Sequence, residues 1–226
     1  MQMRKKQLGI IIIAIMVFMM TACGSSNNEQ TKITDKVSEN LPVSETTSYK
    51  EIYNTSIFLG DSITEGLLYH EALSEEQIVA GAGKTAQIAL ETGDVDEVVT
   101  RKPEHIYIHL GSTDILWPTD DPLSYSLSYY AKLLEEIKAQ IPDTEITLLS
   151  VTPVTAEAEK ANPKYRFITE YNKRLEALAA EKQVGYIDLS PLFDEHFELY
   201  DTDGIHFQAE FYPLLLTFLQ EESDGR

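Results

Sequence analysis

The feature that most constrains the fold of this chain is a fivefold alternation between short apolar runs and longer, mostly amphipathic stretches. The apolar runs are rich in Ile, Val, Leu and Tyr and are bounded by turn residues, which is typical of strands buried on both faces. Strands that alternate with helices predict a parallel sheet covered by helices on both sides. The predicted strands are Ser56–Leu59, Gln77–Ala80, His105–Leu110, Glu145–Val151 and Val184–Asp188.

The helical pattern is clearest over Ser124–Gln140, where apolar residues recur every three or four positions and Pro142 lies just beyond the end. Further helices are predicted over Pro163–Lys182 and Ala209–Glu221. Because no internal repeat or second linker follows, residues 51–226 are predicted to form one domain. Its predicted architecture is a three-layer α/β/α sandwich around a flavodoxin-like, five-stranded parallel sheet. Reactive residues in such sheets gather just past the carboxyl ends of the strands.

Charge and cysteine content exclude several classes of function. The 226 residues include 18 Lys and Arg against 37 Asp and Glu, a formal net charge of −19. A field of that sign repels phosphate backbones, so no nucleic-acid partner is expected. The single cysteine, Cys23, excludes an internal disulfide and a zinc site built on cysteines.

The N-terminus has the pattern of an export signal. Arg4, Lys5 and Lys6 precede an uncharged run, Leu8–Met20, whose 13 residues cover only about 20 Å as a helix, less than a bilayer requires. Small residues and then Cys23 follow. This arrangement resembles the bacterial lipoprotein signal, in which residues 1–22 are removed and the cysteine is acylated, although that pattern prefers Leu where this chain has Met20. The alternative is an uncleaved short anchor with an incidental cysteine.

Both interpretations place the domain outside the cytoplasm and hold it at a membrane surface. The segment that follows, residues 23–50, is polar and has neither strand nor helix periodicity. Such a stretch cannot bury enough surface to offset its ordering entropy, so it is predicted to be a flexible tether that begins at the lipidated cysteine.

Two loops carry residues suited to nucleophilic catalysis. In the first, Gly60-Asp61-Ser62 joins an apolar strand to a helical segment. A serine at a helix N-terminus lies among free backbone N–H groups that can stabilise a developing negative charge. A helix-capping role for Ser62 is an equally good interpretation of this loop alone.

In the second loop, Asp203-Gly204-Ile205-His206 precedes the last helix. The Asp203 carboxylate can lie beside Nδ1 of His206, which leaves Nε2 free to accept a proton from a serine. The same four residues also occur as a simple turn with a helix cap. With Ser62 they complete a nucleophile, an acid and a base, in a chain without the Gly-x-Ser-x-Gly elbow of the α/β-hydrolases.

The two motifs, in this order and at the two ends of the domain, resemble the SGNH, or GDSL, family of serine hydrolases over residues 56–218. The resemblance implies the family's α/β/α fold, with Ser62 as nucleophile, His206 as general base and then acid, and Asp203 as its orienting partner. It implies hydrolysis of ester bonds through an acyl-serine. Nothing in the sequence requires a metal or an organic cofactor.

The family's oxyanion hole uses a glycine after the second strand and an asparagine after the third. Gly83 aligns best with that glycine, with Gly81 as an alternative; a phosphate cradle in this Gly-rich loop is disfavoured because the Walker spacing is missing. Thr113 stands where the family has asparagine, in Gly111-Ser112-Thr113-Asp114. Its hydroxyl is a shorter donor, and loss of one such donor typically lowers the rate about 10²–10³-fold.

The remaining candidates carry weaker signals. The four other histidines have no metal-ligand spacing, and two of them, His105 and His109, share one face of a strand where packing or hydrogen bonding is expected. A loop after Thr113 is predicted either to line a substrate cleft or simply to cover the sheet. The other two histidines are His70 and His196. The loop after Thr113 contains Trp117, Pro118, Asp120 and Asp121.

The predicted function is that of an extracytoplasmic esterase for small acyl groups, with acetylated carbohydrate ranked above lipid esters as substrate. Two alternatives use the same cleft. A catalytically weak or inactive glycan-binding lipoprotein is favoured by Thr113. An acyltransferase would differ only in resolving the acyl-serine with a sugar hydroxyl in place of water. The sequence leaves the oligomeric state open.

Overall fold

Five parallel strands form one sheet in the order β2-β1-β3-β4-β5. In the computed structural model, residues 48–193 and 197–225 are described. In the interior of the sheet, Phe58 on β1 lies opposite Ile78 on one neighbour and Tyr107 on the other. This arrangement confirms the predicted flavodoxin-like, five-stranded parallel sheet. The strands are β1 (Ser56–Gly60), β2 (Ile78–Ala80), β3 (His105–His109), β4 (Glu145–Leu149) and β5 (Gly185–Ile187).

Helices follow the strands and cover the sheet, and short 3₁₀ turns lie between several of the elements. Over the described residues, the α-helices are α1 (Tyr49–Ile52), α2 (Ser62–Tyr69), α3 (Ala86–Glu91), α4 (Asp94–Arg101), α5 (Pro122–Gln140), α6 (Ala156–Ala161), α7 (Ile168–Lys182) and α8 (Phe211–Asp224).

The sheet is buried on both faces because successive side chains of each strand point to opposite sides. Ile57 and Leu59 of β1 belong to one apolar cluster with residues of α3, α4, α5 and α7. Phe58, between them in sequence, belongs to a second cluster with residues of α2 and α8. All five residues of β1 are buried. Two cores on either side of one sheet confirm the predicted three-layer sandwich.

Two strands begin one residue later than predicted, because the backbone N–H of the first predicted residue of each donates to a nearby carbonyl. Gln77 ends a 3₁₀ turn, where its backbone N–H donates to the Ser74 carbonyl at 3.0 Å. Val184 donates its N–H to the Ala179 carbonyl at 3.0 Å and so closes the end of α7. Neither residue is free to begin a strand ladder.

Helix boundaries also differ from the pattern. The predicted helix over 163–182 is divided into a 3₁₀ turn, Pro163–Phe167, and α7. Helix α5 begins two residues early because the Asp121 carboxylate accepts the Ser124 N–H at 3.1 Å and Pro122 suits a first helical position. The last helix begins two residues later than predicted.

The predicted signal, Cys23 and most of the predicted tether lie in residues 1–47, outside the described residues. Helix α1 takes in the last two residues of the predicted tether, and the Tyr49 hydroxyl hydrogen-bonds to Thr217 Oγ1 on α8 at 2.6 Å. Among the residues that the structure describes, no helix is both long enough and apolar enough to cross a membrane.

Candidate active site

The candidate site lies where the strand order reverses. After β1 the chain forms β2 on one side of β1, and it then crosses over to form β3 on the other side. The carboxyl edge at such a reversal is the crevice where open α/β sheets bind ligands. The loops after β1, β2 and β3 carry Ser62, Gly83 and Thr113, so the topology brings these three loops to one edge.

The turn from β1 into α2 explains why the sequence reads Gly-Asp-Ser. A Cβ on Gly60 would lie 2.6 Å from the His109 carbonyl oxygen and 2.0 Å from Thr64 Oγ1, so only glycine fits there. Asp61 caps α2, because its Oδ1 accepts the Ile63 N–H at 3.0 Å. Ser62 is therefore the first helical residue and not the cap, which removes the capping interpretation and leaves its hydroxyl available.

Ser62, His206 and Asp203 form one hydrogen-bonded series. Ser62 Oγ lies 2.9 Å from His206 Nε2, across 144 positions of the chain. His206 Nδ1 lies 2.6 Å from Asp203 Oδ2. A carboxylate at Nδ1 keeps the proton on that nitrogen, so Nε2 can accept the serine proton. The structure thus brings together the three side chains that the sequence motifs singled out.

The loop before α8 fixes the Asp203 carboxylate. Asp203 Oδ1 accepts the N–H groups of Ile205 and His206, each at 2.9 Å. Partial burial raises the pKa of Asp203, but the hydrogen bonds from the His206 ring and from these two N–H groups outweigh burial and hold the pKa below its ordinary value. Asp203 is accordingly ionised at neutral pH, as a partner that stabilises an imidazolium must be.

Backbone geometry separates the two glycines of the β2–α3 loop. Gly81 donates its N–H to the Gly60 carbonyl at 3.3 Å, so that group is already used. Gly83 has a φ of +75°, lies in a turn closed by the Lys84 N–H on the Gly81 carbonyl, and is exposed. Lys84 forms an ion pair with Asp94 at 2.5 Å. Of the two glycines, Gly83 is thus the better candidate for an oxyanion donor, and the lysine is not free to hold a phosphate.

Thr113 opens the 3₁₀ turn Asp114–Leu116 after β3 and is half-buried. Its carbonyl accepts the Leu116 N–H at 3.1 Å, while its side chain makes no capping hydrogen bond. The neighbouring Gly111 has a φ of +136°, a conformation that L-residues rarely adopt. The loop is therefore shaped by its backbone, and the Thr113 side chain is not needed to hold it.

Two buried carboxylates, for which no role was predicted, tie these loops together. Asp61, 1% exposed, accepts a hydrogen bond from the Ser112 hydroxyl on the β3 loop. Asp114, 2% exposed, accepts the Ala86 N–H at the start of α3 (3.1 Å) and the Ser126 hydroxyl on α5 (2.6 Å). The sequence indicated these two residues only through their positions in the motifs Gly60-Asp61-Ser62 and Gly111-Ser112-Thr113-Asp114. These contacts link the loops of β1, β2 and β3 beneath the site.

Replacing Asp114 by asparagine is expected to remove a pH-dependent loss of stability. Burial raises the pKa of Asp114 to about 6, against hydrogen bonds from Ser126 and Ala86. Between the ordinary value of 3.8 and about 6 the folded state binds more protons than the unfolded state, so the free energy of unfolding falls as pH rises through this window. At about 1.36 kcal/mol per pKa unit, the loss is roughly 3 kcal/mol above pH 6.

Urea unfolding of the wild type and Asp114→Asn at several pH values measures this effect. The stability of the wild type minus that of the variant should fall by roughly 3 kcal/mol between about pH 3 and pH 7. A difference that is constant over this range would show that Asp114 is not held as a buried, hard-to-ionise acid.

A cleft of about 510 Å³ opens beside the serine and the imidazole, on the side of α2 and α8. A larger cavity, about 650 Å³, lies at the amino edge of the sheet, around the starts of β1 and β3, and so is remote from this chemistry. The cleft is lined by Ser62, Glu65, Gly66, Leu68, Tyr69, His70, Asp201, His206, Phe207 and Tyr212.

The cleft is not lined by the loop after Thr113 (Trp117, Pro118, Asp120 and Asp121), nor by Gly83 or Thr113. The contacts of this loop favour its interpretation as a covering loop. Asp121 caps α5, as noted above. The Trp117 ring stacks with the Tyr125 ring, and the backbone carbonyl of Trp117 accepts a hydrogen bond from Lys164 at 3.0 Å. These residues hold the surface of the domain together.

The remaining histidines have structural surroundings. His105 Nε2 lies 2.9 Å from Thr147 Oγ1, and His109 is buried, which lowers its pKa and favours the neutral ring. This confirms the expectation of packing and hydrogen bonding on that face of β3. His70 stacks on Tyr212 with ring centres 4.9 Å apart. His196 lies outside the described residues, among which no group of three or more His, Cys, Asp or Glu could hold a metal.

An alcohol, an imidazole and a carboxylate in hydrogen-bonded series, at the carboxyl edge of a parallel sheet, define a serine hydrolase. The model of the GDSL-like lipase/acylhydrolase family matches residues 58–214. The chain belongs to this family and is an ester-hydrolysing serine hydrolase. No curated protein matches the sequence.

Solved structures with the same fold include three hydrolases. A GDSL-like lipase from Bacteroides thetaiotaomicron is 19% identical, with 75% of this chain and 87% of that chain covered and a TM-score of 0.61. The lipase/acylhydrolase from Enterococcus faecalis is 20% identical, with 76% and 96% covered and a TM-score of 0.58. The acetylxylan esterase Axe2 from Geobacillus stearothermophilus is 22% identical, with 73% and 92% covered and a TM-score of 0.53.

Proposed function

We propose that this chain is an extracytoplasmic esterase that removes small acyl groups, above all acetyl, from carbohydrate hydroxyls. The observation that carries the catalytic part is the Ser62–His206–Asp203 series, with its distances of 2.9 and 2.6 Å. The choice of acetyl groups on sugar rests on the predicted location and on the fold shared with an acetylxylan esterase. The chain's acidic charge is consistent with an uncharged substrate.

In the first half of the reaction, Ser62 Oγ attacks the ester carbonyl carbon while His206 Nε2 takes the hydroxyl proton. Asp203 stabilises the imidazolium that results. The negative charge on the carbonyl oxygen is received by the N–H groups of Ser62 and Gly83 and by the Thr113 side chain. The carbon–oxygen bond to the sugar then breaks, and His206 returns its proton to the departing sugar hydroxyl.

In the second half, His206 removes a proton from water, and the resulting hydroxide attacks the acyl carbon of the acyl-serine. The Ser62 Oγ–acyl bond breaks, Ser62 recovers the proton, and the acid is released. The two halves use the same groups in the same positions, so no further residue is required by this scheme.

A panel of esters tests the proposed substrate. The wild-type chain is expected to release acetate from acetylated glucose and xylose, and its kcat/KM for p-nitrophenyl esters should fall as the acyl chain lengthens from two to eight carbons. Turnover of the long-chain esters alone would overturn the proposal in favour of a lipid ester. Ser62→Ala protein from the same preparation supplies the background rate.

The extracytoplasmic part depends on Arg4–Lys6, the apolar run and Cys23. We propose that Cys23 is acylated and anchors the domain, since the acidic domain itself is not attracted to anionic lipid headgroups. Labelled palmitate should enter the full-length chain in bacterial cells and not its Cys23→Ser variant. Equal labelling of both chains would contradict the anchor.

One observation favours a second candidate function. Thr113 replaces an asparagine donor of the family, which is what a glycan-binding protein with a weakened or lost catalytic step would tolerate. The two functions differ in whether Ser62 is reactive, and covalent labelling by a fluorophosphonate probe measures that property directly.

A further inference from the structure

Helix α2 carries a hydroxyl, a carboxylate and an aromatic ring on one face. Ser62, Glu65 and Tyr69 follow one another at spacings of three and four residues, so they lie above one another along the helix. All three line the 510 Å³ cleft. A substrate held over Ser62 therefore runs past a carboxylate and towards an aromatic ring.

Tyr69 is far more exposed than any other large apolar side chain of the described residues. It is 81% exposed, whereas Leu68, Phe167 and Leu214 are 37–39% exposed. Large aromatic side chains gain stability from burial, so one left in solvent beside a reactive serine is available to a ligand.

The Tyr69 ring is nonetheless supported from behind. Its edge-to-face partner is the His70 ring, with centres 4.9 Å apart, and His70 in turn stacks on Tyr212, which is only 2% exposed. Tyr212 fits against α2 because Gly66 has no side chain: a Cβ there would lie 1.8 Å from the Tyr212 hydroxyl. The Tyr69 ring thus contacts this stack at His70 while most of its surface stays exposed to solvent.

The distance along α2 from Ser62 to Tyr69 bears on how long a substrate must be to meet the Tyr69 ring. Seven residues separate Ser62 from Tyr69, about 10 Å along the helix. That backbone distance exceeds the width of one pyranose ring, so a saccharide chain of two or more units held over Ser62 is long enough to cover the helix face as far as Tyr69.

The negative charge of the cleft favours some of the ligands that could stack on the Tyr69 ring over others. Glu65 and Asp201 are its two carboxylates, and none of the ten lining residues is Lys or Arg. Carboxylates accept hydrogen bonds from sugar hydroxyls and repel phosphate or carboxylate groups. This favours a neutral saccharide over an anionic lipid headgroup.

We propose that Tyr69, with Glu65 and Asp201, forms a subsite for a neutral sugar unit adjacent to the acylated one, so that acylated oligosaccharides are preferred to acylated monosaccharides. The inference rests on the proposed function and deepens it. The apolar face of the pyranose stacks on the Tyr69 ring, and its hydroxyls donate to the two carboxylates.

The test compares partially acetylated cellotriose with acetylated glucose, using wild type, Tyr69→Ala and Tyr69→Phe. In Tyr69→Ala, the KM for the trisaccharide should rise relative to that for the monosaccharide by roughly threefold to tenfold, the range of one aromatic contact, with kcat affected less. Tyr69→Phe should retain the wild-type ratio, since the ring remains. Phe167→Ala, an exposed aromatic outside the cleft, is the matched control.

The outcomes separate this inference from the proposed function. If the wild type releases acetate from sugars but Tyr69→Ala leaves the ratio unchanged, the subsite is wrong and the esterase stands. If the wild type releases no acetate from either sugar, the proposed function is wrong as well. A Tyr69→Ala defect confined to p-nitrophenyl octanoate would replace the sugar with an acyl chain as occupant and so overturn the subsite.

Discussion

Replacing Ser62 by alanine is expected to lower kcat/KM for p-nitrophenyl acetate by about 10⁴–10⁶-fold, the range found when a serine nucleophile is removed. The physical reason is that His206 Nε2, 2.9 Å away, would then have no alcohol proton to accept and the ester carbon no protein nucleophile. The same change should abolish covalent labelling by a fluorophosphonate probe, which reacts only with an activated serine.

The labelling experiment also decides between the two candidate functions. Ser128→Ala is a suitable control, because Ser128 is exposed on α5 and its hydroxyl donates to the nearby Tyr125 carbonyl. It should label like the wild type. A wild-type domain that forms no adduct, or an adduct that persists in Ser62→Ala, would favour the glycan-binding interpretation.

The strands were predictable because burial on both faces leaves a direct mark on the sequence. Every residue of β1 is buried, so the run Ser56–Gly60 contains no charge and could be recognised from its composition. The ends were less predictable. Val184 continues the apolar run, yet its N–H bonds to Ala179 on the preceding helix, and a pattern of side chains does not report which carbonyl a backbone N–H meets.

The candidate triad was predictable for a different reason. Asp203 and His206 are three residues apart, so one short motif contains a whole hydrogen bond of the site, and Gly-Asp-Ser marks the other end. The supporting contacts were not predictable. Asp61 pairs with Ser112, 51 positions away, and Asp114 with Ala86, 28 positions away. Contacts of that kind depend on the crossover that places β1 between β2 and β3, and no local spacing encodes them.

The residue that caps α2 could not be assigned from the sequence motif alone. Serine and aspartate are both good N-caps, so Asp61-Ser62 could be assigned in either order from sequence. The cap is Asp61, whose Oδ1 meets the Ile63 N–H. The serine one position later then has a helical backbone and a hydroxyl that no capping bond occupies, which is the condition a nucleophile needs.

Replacing Thr113 by asparagine is expected to raise kcat. The longer carboxamide restores the donor that the family places at this position, and one oxyanion donor is worth about 10²–10³-fold in rate. Because we propose that the threonine hydroxyl supplies part of that effect, the expected gain is roughly 10-fold or more, within that ceiling. The substitution should fold, because Thr113 is half-buried and its side chain does not cap the turn that it opens.

Thr113→Val separates the donor from the shape of the side chain, since valine has nearly the same volume and no hydroxyl. If Thr113 faces the oxyanion, the order of kcat on p-nitrophenyl acetate should be Asn above Thr above Val, with KM changing little because the donor acts mainly on the transition state. Equal rates for threonine and valine, with no gain in the asparagine variant, would remove Thr113 from the oxyanion hole. The hole would then rest on the N–H groups of Ser62 and Gly83, and an unusual residue at 113 would no longer count against a fully active esterase.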